Sequence, residues 1–423
     1  MDNLTHTLAG VLAGETAARL APERDSALPP RVRRGLFMTL MVVGSNLPDL
    51  DFLYSTFTGS KLDYLLHHRG HTHTLVGAVA VALLMLTVVG MWLRRRGVRP
   101  TRQDAVWITG IALCAPLLHV LMDFGNNYGV HPFWPAYNGW LYGDAIFIVE
   151  PAFWAAVAPL AVLLRTAVAR VIVTVLPLAG IALGLALDLM PIAHAAALLG
   201  LAAALRVFAH RARPVPALTA SIVAWTAIAA TFALSGRLAA RQLDAELAHT
   251  LPAARTLDRA LAPLPSNPFC WEAQLAQLEG EHYVVRRAML SLLPGWMPAD
   301  QCPTRALEAP TTAALEPVAR PASPTLQWHG QLRMLQADLV QLVAEHCEAA
   351  AFMRFARIPW LQRTDDGWLI GDLRYDREPQ LGFAELALHL PPAKCPRNVP
   401  PWIPPRQDLL QTGRLATRTR TRS

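Results

Sequence analysis

The sequence predicts a mainly α protein: a polytopic transmembrane helical bundle of about seven to eight helices, followed by a small soluble α+β domain. Three observations carry this expectation. Hydrophobic residues make up 53% of the 423 residues and charged residues only 16%, where a soluble domain carries about 25% charge. The apolar residues fall in blocks that approach or reach the roughly 20 residues a spanning helix needs. After Gly236 the blocks stop, and strand-like alternation and Pro-rich connectors take over. The expected division is therefore a transmembrane helical domain over 1–236 and a soluble C-terminal domain over 237–423.

The elements follow in order. MDNLTHTLAG opens the chain with His6 among small residues and no basic stretch, so the first helix reads as retained rather than as a cleaved signal. It is short and polar, and a re-entrant path is open to it. GLFMTLMVVGSNLPDLDFLY (35–54) is a second helix with acids at its far end. VGAVAVALLMLTVVGMWL (76–93), AVWITGIALCAPLLHVLM (105–122) and AIFIVEPAFWAAVAPLAVLL (145–164) supply the third to fifth. VIVTVLPLAGIALGLAL (171–187), AHAAALLGLAAALRVF (193–208) and ALTASIVAWTAIAATFALSG (217–236) complete the set.

The net charge of +7 is concentrated in alternate connectors. Arg19, Arg24, Arg31, Arg33 and Arg34 lie in one; Arg94, Arg95, Arg96, Arg99 and Arg102 in another; Arg165 and Arg170, then Arg206, Arg211 and Arg213, in two more. The intervening connectors hold Lys61 and Arg69, and none between 124 and 164. Arginine sorted by connector is a signature of membrane orientation, not of nucleic-acid binding, and no direct nucleic-acid partner is expected. The rule puts the Arg-rich connectors in the cytoplasm. The N-terminus, the 55–72 and 124–145 loops and the chain after about 240 then lie outside, in a bacterium the periplasm. The tail RLATRTRTRS (414–423) reads as a disordered basic end.

The polar residues sort with the same sides. His6, Asp49, Asp51, the cluster HHRGHTHT (67–74), His119, Asp123, Asp144 and Glu150 all fall at outer helix ends. Ionisable groups at membrane depth are costly and are read as functional by default. His119 and Asp123, four apart, share a helix face and can reach one ion. In NLPDLD, Asp49 and Asp51 would diverge on a regular helix, but Pro48 perturbs it and frees backbone groups. In HRGHTH, Gly70 permits a turn and Thr72 can cap the next helix. His68 and His73 are the chosen ligands there; His67 and His71 can stand behind them or in solvent. Arg69 can hold an anionic substrate oxygen. Asp144 and Glu150 suit proton handling or the orientation of a histidine, while Asn127 and Tyr128 can line a pocket. The metal set is thus His6, Asp49, Asp51, His68, His73, His119 and Asp123. Imidazoles and carboxylates without thiolates favour zinc, with manganese or iron open, and the ligand count leaves room for two or more ions.

DNLTHTLAG, PDLD, HRGHTHT, HVLMDFGNNYG and WLYGDAIFIVEP, taken in order, resemble the family of inner-membrane metal-dependent hydrolases, also described as LexA-binding, inner-membrane-associated putative hydrolases. The resemblance covers about residues 1–155; SNPFCWEA and FMRFARIPW look like its longer members. It implies a bacterial inner-membrane protein with a metal-dependent hydrolase activity, and its polar positions fall on the same seven residues. Thr74 stands where serine is expected and Glu150 where aspartate is usual. A looser similarity, treated as analogy, is to zinc-dependent phospholipase C and related nucleases.

In the C-terminal part, 237–262 reads as a helix leaving the membrane, 298–326 as a Pro/Ala-rich linker and 332–356 as an amphipathic helix. EGEHYVVRRAML, DGWLIGDLRYD and LGFAELALHL alternate like strands. Cys270, Cys302, Cys347 and Cys395 fit one or two disulfides in any of three full pairings, or four thiols. Three function classes remain. The preferred one is a hydrolase at the periplasmic face acting on a phosphoester, in a membrane lipid or another membrane-associated substrate. The second is a non-enzymatic anchor or regulator that binds a protein partner around a structural metal. The third, a metal transporter, needs acids deeper in the bilayer than Asp188 and His194.

Overall fold

The computed structural model describes residues 1–303, 310–320, 322–389 and 395–411. Helix α1 (Asn3–Leu20) packs against α2 (Pro30–Gly44). A 3-10 turn, Leu47–Asp51, bends the chain by 47° into α3 (Phe52–Thr58). Helix α4 (Lys61–His67) and a second 3-10 turn, His71–His73, lead into α5 (Leu75–Arg95) and α6 (Arg102–Phe124). Short helices α7 (Pro151–Ala156) and α8 (Leu160–Leu163) precede α9 (Ala167–Ala186), α10 (Ile192–Arg211) and α11 (Pro214–Thr250).

Among the described residues, five helices are long and apolar enough to cross a membrane, α5, α6, α9, α10 and α11, and the bent pair from α2 to α3 makes up to six. Their outward faces carry Leu83, Leu84, Leu121, Val171 and Leu183 exposed. The expected count of seven to eight is not confirmed, for two reasons. Helix α1 buries Thr5, His6 and Glu15 along its length, so it packs inside protein. Segment 145–164 is not one helix: Glu150 caps α7, and Pro159, which lacks an N–H, starts α8 afresh. From Glu150 to Leu164 the segment is nevertheless buried or half-buried. The Asp2 N–H donates to the Ile148 carbonyl (3.0 Å) at one end and Arg34 Nη2 to the Leu163 carbonyl (3.5 Å) at the other. Irregular backbone is tolerated at such depth where protein surrounds it.

Helix α11 runs unbroken through residue 236. Its 37 residues reach about 55 Å, beyond the ~30 Å hydrocarbon core. Beyond Gly236, its Ala239, Leu243 and Leu247 bury against Leu261, Trp271, Leu275 and Leu290 of a sheet. The helix ends at Thr250, ahead of Pro252, and residues 255–262, expected as helix, are strand instead. Strands β1 (Arg255–Leu264), β2 (Asn267–Glu279), β3 (His282–Ser291) and β4 (Leu326–Leu335) form an antiparallel sheet in that order. The expected helix over 332–356 is also corrected. Leu332 pairs with Val285 and Leu335 with His282 in the β3–β4 ladder, and only then do α12 (Gln336–Glu345) and α13 (Cys347–Phe352) follow. A second sheet holds β5 (Pro359–Thr364), β6 (Gly367–Asp372) and β7 (Glu385–His389), and α14 (Gln407–Leu410) closes the described chain. The three strand-like stretches fall on β2–β3, β6 and β7. Disulfides join Cys270 to Cys302 and Cys347 to Cys395. The tail 414–423 lies outside the described residues.

The sheet domain sits on the bundle end where α4, α6 and the 126–142 loop meet. Trp402 Nε1 donates to the Leu66 carbonyl (2.8 Å), and its ring stacks on His131 at 3.8 Å. Trp140 Nε1 donates to the Arg354 carbonyl (2.7 Å).

Candidate metal centre

Four buried side chains from three segments meet beneath this cap. Asp49 comes from the 3-10 turn after α2, His73 from the turn before α5, and His119 and Asp123 from the last two turns of α6. One donor atom from each lies within 4.8 Å of all the others. His73 Nε2 is 3.3 Å from Asp49 Oδ1, 3.1 Å from Asp123 Oδ2 and 3.0 Å from His119 Nε2. His119 Nε2 is 3.4 Å from both carboxylates.

Local structure aims these atoms. The proline in NLPDLD sits at the start of a 3-10 turn, which points Asp49 inward. Thr74 caps α5 by accepting the Gly77 N–H (2.8 Å). Gly77 is required there: a Cβ on it would stand 2.2 Å from the His71 carbonyl oxygen. Helices α2, α5 and α6 approach closely at Gly44, where a Cβ would meet Ala115 at 2.7 Å and Met85 at 2.8 Å.

The outer contacts set the tautomers. His119 Nδ1 donates to the Ser45 carbonyl (2.7 Å), so a neutral His119 presents a lone pair at Nε2. Thr72 Oγ1 donates to Asp51 Oδ2 (2.7 Å). His73 Nδ1, 3.0 Å from that hydroxyl and 3.3 Å from the same carboxylate, is left to donate. With both rings neutral, the two Nε2 lone pairs face the same point as two carboxylate oxygens. Electron-rich atoms in this arrangement repel unless a cation lies among them. Asp123 Oδ2, fully buried, makes no hydrogen bond among the described residues, its cationic neighbour being the Arg69 guanidinium. The group thus fits a divalent metal ion, with the two carboxylate charges balancing it.

The remaining candidates divide around the four. His6 Nε2 is 3.1 Å from Asp123 Oδ1, and its ring stacks on His119 at 3.9 Å. The N-terminal amine also meets Asp123 Oδ1. Arg69, in the left-handed region at φ 57°, places Nε 3.1 Å from Asp123 Oδ2 and donates from Nη1 to Asn126 Oδ1 (2.9 Å). Its guanidinium lies over the Tyr128 ring at 4.7 Å. Asp51 and His68 stand one layer out. Asp51 accepts the Arg69 N–H (3.0 Å) and lies 2.8 Å from His68 Nδ1, so it organises the HRGHTH turn. His67 Nε2 lies 2.9 Å from the Asn398 carbonyl, and the His71 ring packs 4.9 Å from that of Trp402.

Asp144 and Glu150 are outside the group altogether. Asp144 pairs with both Nη atoms of Arg357 (2.7 and 2.8 Å). Arg357 also donates to Asp258 (2.9 Å) and lies over Tyr142. Glu150 accepts the Ser266 N–H (3.0 Å) and hydroxyl (2.9 Å) at the tip of the β1–β2 hairpin, and the Ala152 N–H (2.9 Å). Burial pushes the Glu150 carboxyl up to about 7 despite these donors. Both acids clamp the sheet domain to the bundle. Asn127 offers its carbonyl to Arg374 Nη1 (2.6 Å). The sequence reading missed Ser45, Asn126, Arg357, Ser266 and Trp402. Ser45 acts through its backbone oxygen, which leaves no side-chain signal; Asn126 was visible in the NNYG motif.

Residues 1–195 match the model of the family described as YdjM inner membrane protein. No curated protein and no solved structure matches the chain. The matched residues contain every residue of the buried Asp/His group and α5, α6 and α9 of the apolar helices. The N-terminal 195 residues are therefore similar to the YdjM inner membrane protein family, and the chain combines several helices apolar enough to cross a membrane with a buried group able to hold a metal ion.

Proposed function

We propose that the protein is a metal-dependent hydrolase whose Asp49–His73–His119–Asp123 centre lies on the periplasmic side and acts on a phosphoester of a membrane-associated substrate. The observation that carries this reading is the convergence of two imidazole nitrogens and two carboxylate oxygens at one buried point. The sidedness draws on two supports. Arginine crowds the connectors at the other helix ends. Two disulfides sit in the sheet domain that caps the centre, and disulfides persist in oxidising compartments.

A bound divalent ion would supply Lewis-acid activation of water and charge for the leaving oxygen, with zinc preferred from the donor set. The chain's own residues do the rest. Ser45 and Asp51 fix the two ring tautomers. Arg69 brings a positive charge to Asp123 and is positioned to meet an anionic oxygen. Proton handling, assigned from sequence to Asp144 or Glu150, passes to the His68–Asp51 pair. It is the partly accessible edge of the cluster, with His68 13% exposed.

A second reading, a non-enzymatic anchor or regulator built on a structural metal, is favoured by one observation: His73, His119 and Asp123 are fully buried under the cap. Purified wild type and His119→Ala separate these readings. The hydrolase reading expects bound metal and metal-dependent cleavage of an aryl phosphodiester in wild type, both lost in the variant. Metal without turnover across a phosphatase and lipase screen favours the anchor, and equal metal content in both proteins removes the centre itself.

A further inference from the structure

A cavity of about 770 Å³ opens between α6, α11, the 142–146 loop and β1. Its apolar wall comes from two membrane-crossing helices. Leu121 and Met122 line it from α6; Trp225, Ala229 and Ala233 line it from α11. The last three recur every four residues, so they form one stripe on the helix. From Trp225 to Arg237 the stripe runs about 18 Å, at 1.5 Å per residue. That is close to half of the ~30 Å hydrocarbon core, the depth of one leaflet. Leu121 and Phe124 on the same wall are exposed, so the cavity is open sideways towards the bilayer.

At the end nearest the sheet domain the lining turns polar. Arg237, Arg259 and Arg357 stand there with Asp144 and Asp258. Arg357 is consumed by the two aspartates. Arg259 pairs with the half-exposed Asp244. Arg237 is exposed and has no ion pair among the described residues. Arg237 is thus the cation left unpaired at the end where a headgroup would lie, with Arg259 beside it in the lining.

We propose that this cleft binds one anionic glycerophospholipid taken from the bilayer, an acyl chain along the α11 stripe and the headgroup phosphate at Arg237 and Arg259. The cavity lies in the size range of ligand pockets. Its dimensions and polarity gradient match a lipid standing in its own leaflet, and do not match a soluble metabolite, which has no use for the stripe. The cleft also adjoins the metal group. Met122 and Phe124, which flank Asp123 in the chain, both line it, as does Met1, whose amine contacts Asp123. If the hydrolase reading holds, the lipid in this cleft is its substrate; lipid binding itself does not depend on that reading.

The test uses the full-length protein in phosphatidylcholine nanodiscs doped with photoactivatable phosphatidylglycerol. Crosslinks are mapped by peptide, and metal content serves as the check on folding. Labelling should concentrate on residues 118–125 and 225–240, exceed that by a photoactivatable phosphatidylcholine, and resist competition by free glycerol phosphate. Ala233→Trp, which fills the stripe, should abolish the labelling. Arg237→Ala, at an exposed position that leaves packing intact, should weaken it about fivefold, the effect of one basic residue at an anionic surface. Labelling spread evenly over the outward faces of α5 and α9 and unchanged in both variants overturns the site. Soluble aryl phosphodiester turnover is measured in parallel. Localised lipid with no turnover of lipid or soluble ester sinks the hydrolase reading and leaves the site standing. Soluble turnover with unlocalised lipid does the reverse.

Discussion

Asp51→Asn is the sharpest perturbation of the centre, because it asks whether Asp51 orients a metal ligand or is one. In the structure its two oxygens lie 3.3 Å from His73 Nδ1, 2.8 Å from His68 Nδ1, 2.7 Å from Thr72 Oγ1 and 3.0 Å from the Arg69 nitrogen. None of these reaches the point shared by the four inner donors. Asparagine keeps the shape but turns one acceptor into a donor, so either His73 or His68 loses its orienting bond. Loss of such an outer partner typically costs a factor of 10–100 in metal affinity, or roughly 1.4–2.7 kcal/mol. Removing an inner ligand costs far more. The assay is metal stoichiometry by mass spectrometry together with chelator competition on detergent-purified protein. Asp51→Asn should retain full stoichiometry at saturating metal with a Kd raised by one to two orders of magnitude, while His119→Ala holds none. An unchanged Kd would refute the role given to Asp51. A stoichiometry that falls to that of His119→Ala would return it to the inner ligand set.

The other predictions concern how the cap is held. Arg357→Met strands the Asp144 and Asp258 carboxylates; breaking a buried pair costs 3–5 kcal/mol, and because both acids keep about a fifth of their exposure the expected loss is about 3 kcal/mol in unfolding free energy, with Asp144→Asn partly restoring it. Serine at both Cys347 and Cys395 should lower stability by about 4 kcal/mol on the chain-entropy estimate for a loop of that span, the cysteines being 48 apart in sequence; an equal melting temperature with and without reductant would contradict this. Burial, and then the neighbouring Asp376 charge, push the Glu385 carboxyl up to about 7 from its ordinary 4.5. A raised carboxyl stabilises the fold fully below its unfolded value, and that contribution is lost as pH rises through about 7. The wild-type melting temperature should therefore fall between pH 5 and pH 8 relative to Glu385→Gln, and parallel curves for the two proteins would refute the assignment.

The site was more legible than the helix count. Spacing showed that His119 and Asp123 share a face, because an α-helix repeats every 3.6 residues whatever it packs against. Pro48 marked the departure from helix that turns Asp49 inward. What separated Asp49 from Asp51, and His73 from His68, was not spacing but which neighbour each side chain met. Asp51 faces the His68 and Thr72 side chains, and those contacts exist only once the turn is folded. Segment 145–164 was misread as a single helix because hydropathy measures burial without saying whether lipid or protein does the burying. The two helix-to-strand corrections, at 255–262 and 332–335, have the same origin: ladder pairing with β2 and β3 overrode a local pattern that suited a helix.

Composition and order along the chain alone determined a multi-pass membrane protein, the gathering of imidazoles and carboxylates at common helix ends, and a separate C-terminal domain bearing strands. These depend on transfer free energy and helical periodicity, which are properties of short segments. The four-residue inner group, the assignment of Asp144 and Glu150 to the clamp rather than to the centre, the disulfide pairing and the cleft between α6 and α11 were decided only by tertiary structure. Each of these depends on which distant segments come within a few ångströms of one another, and a local sequence pattern carries no record of that distance.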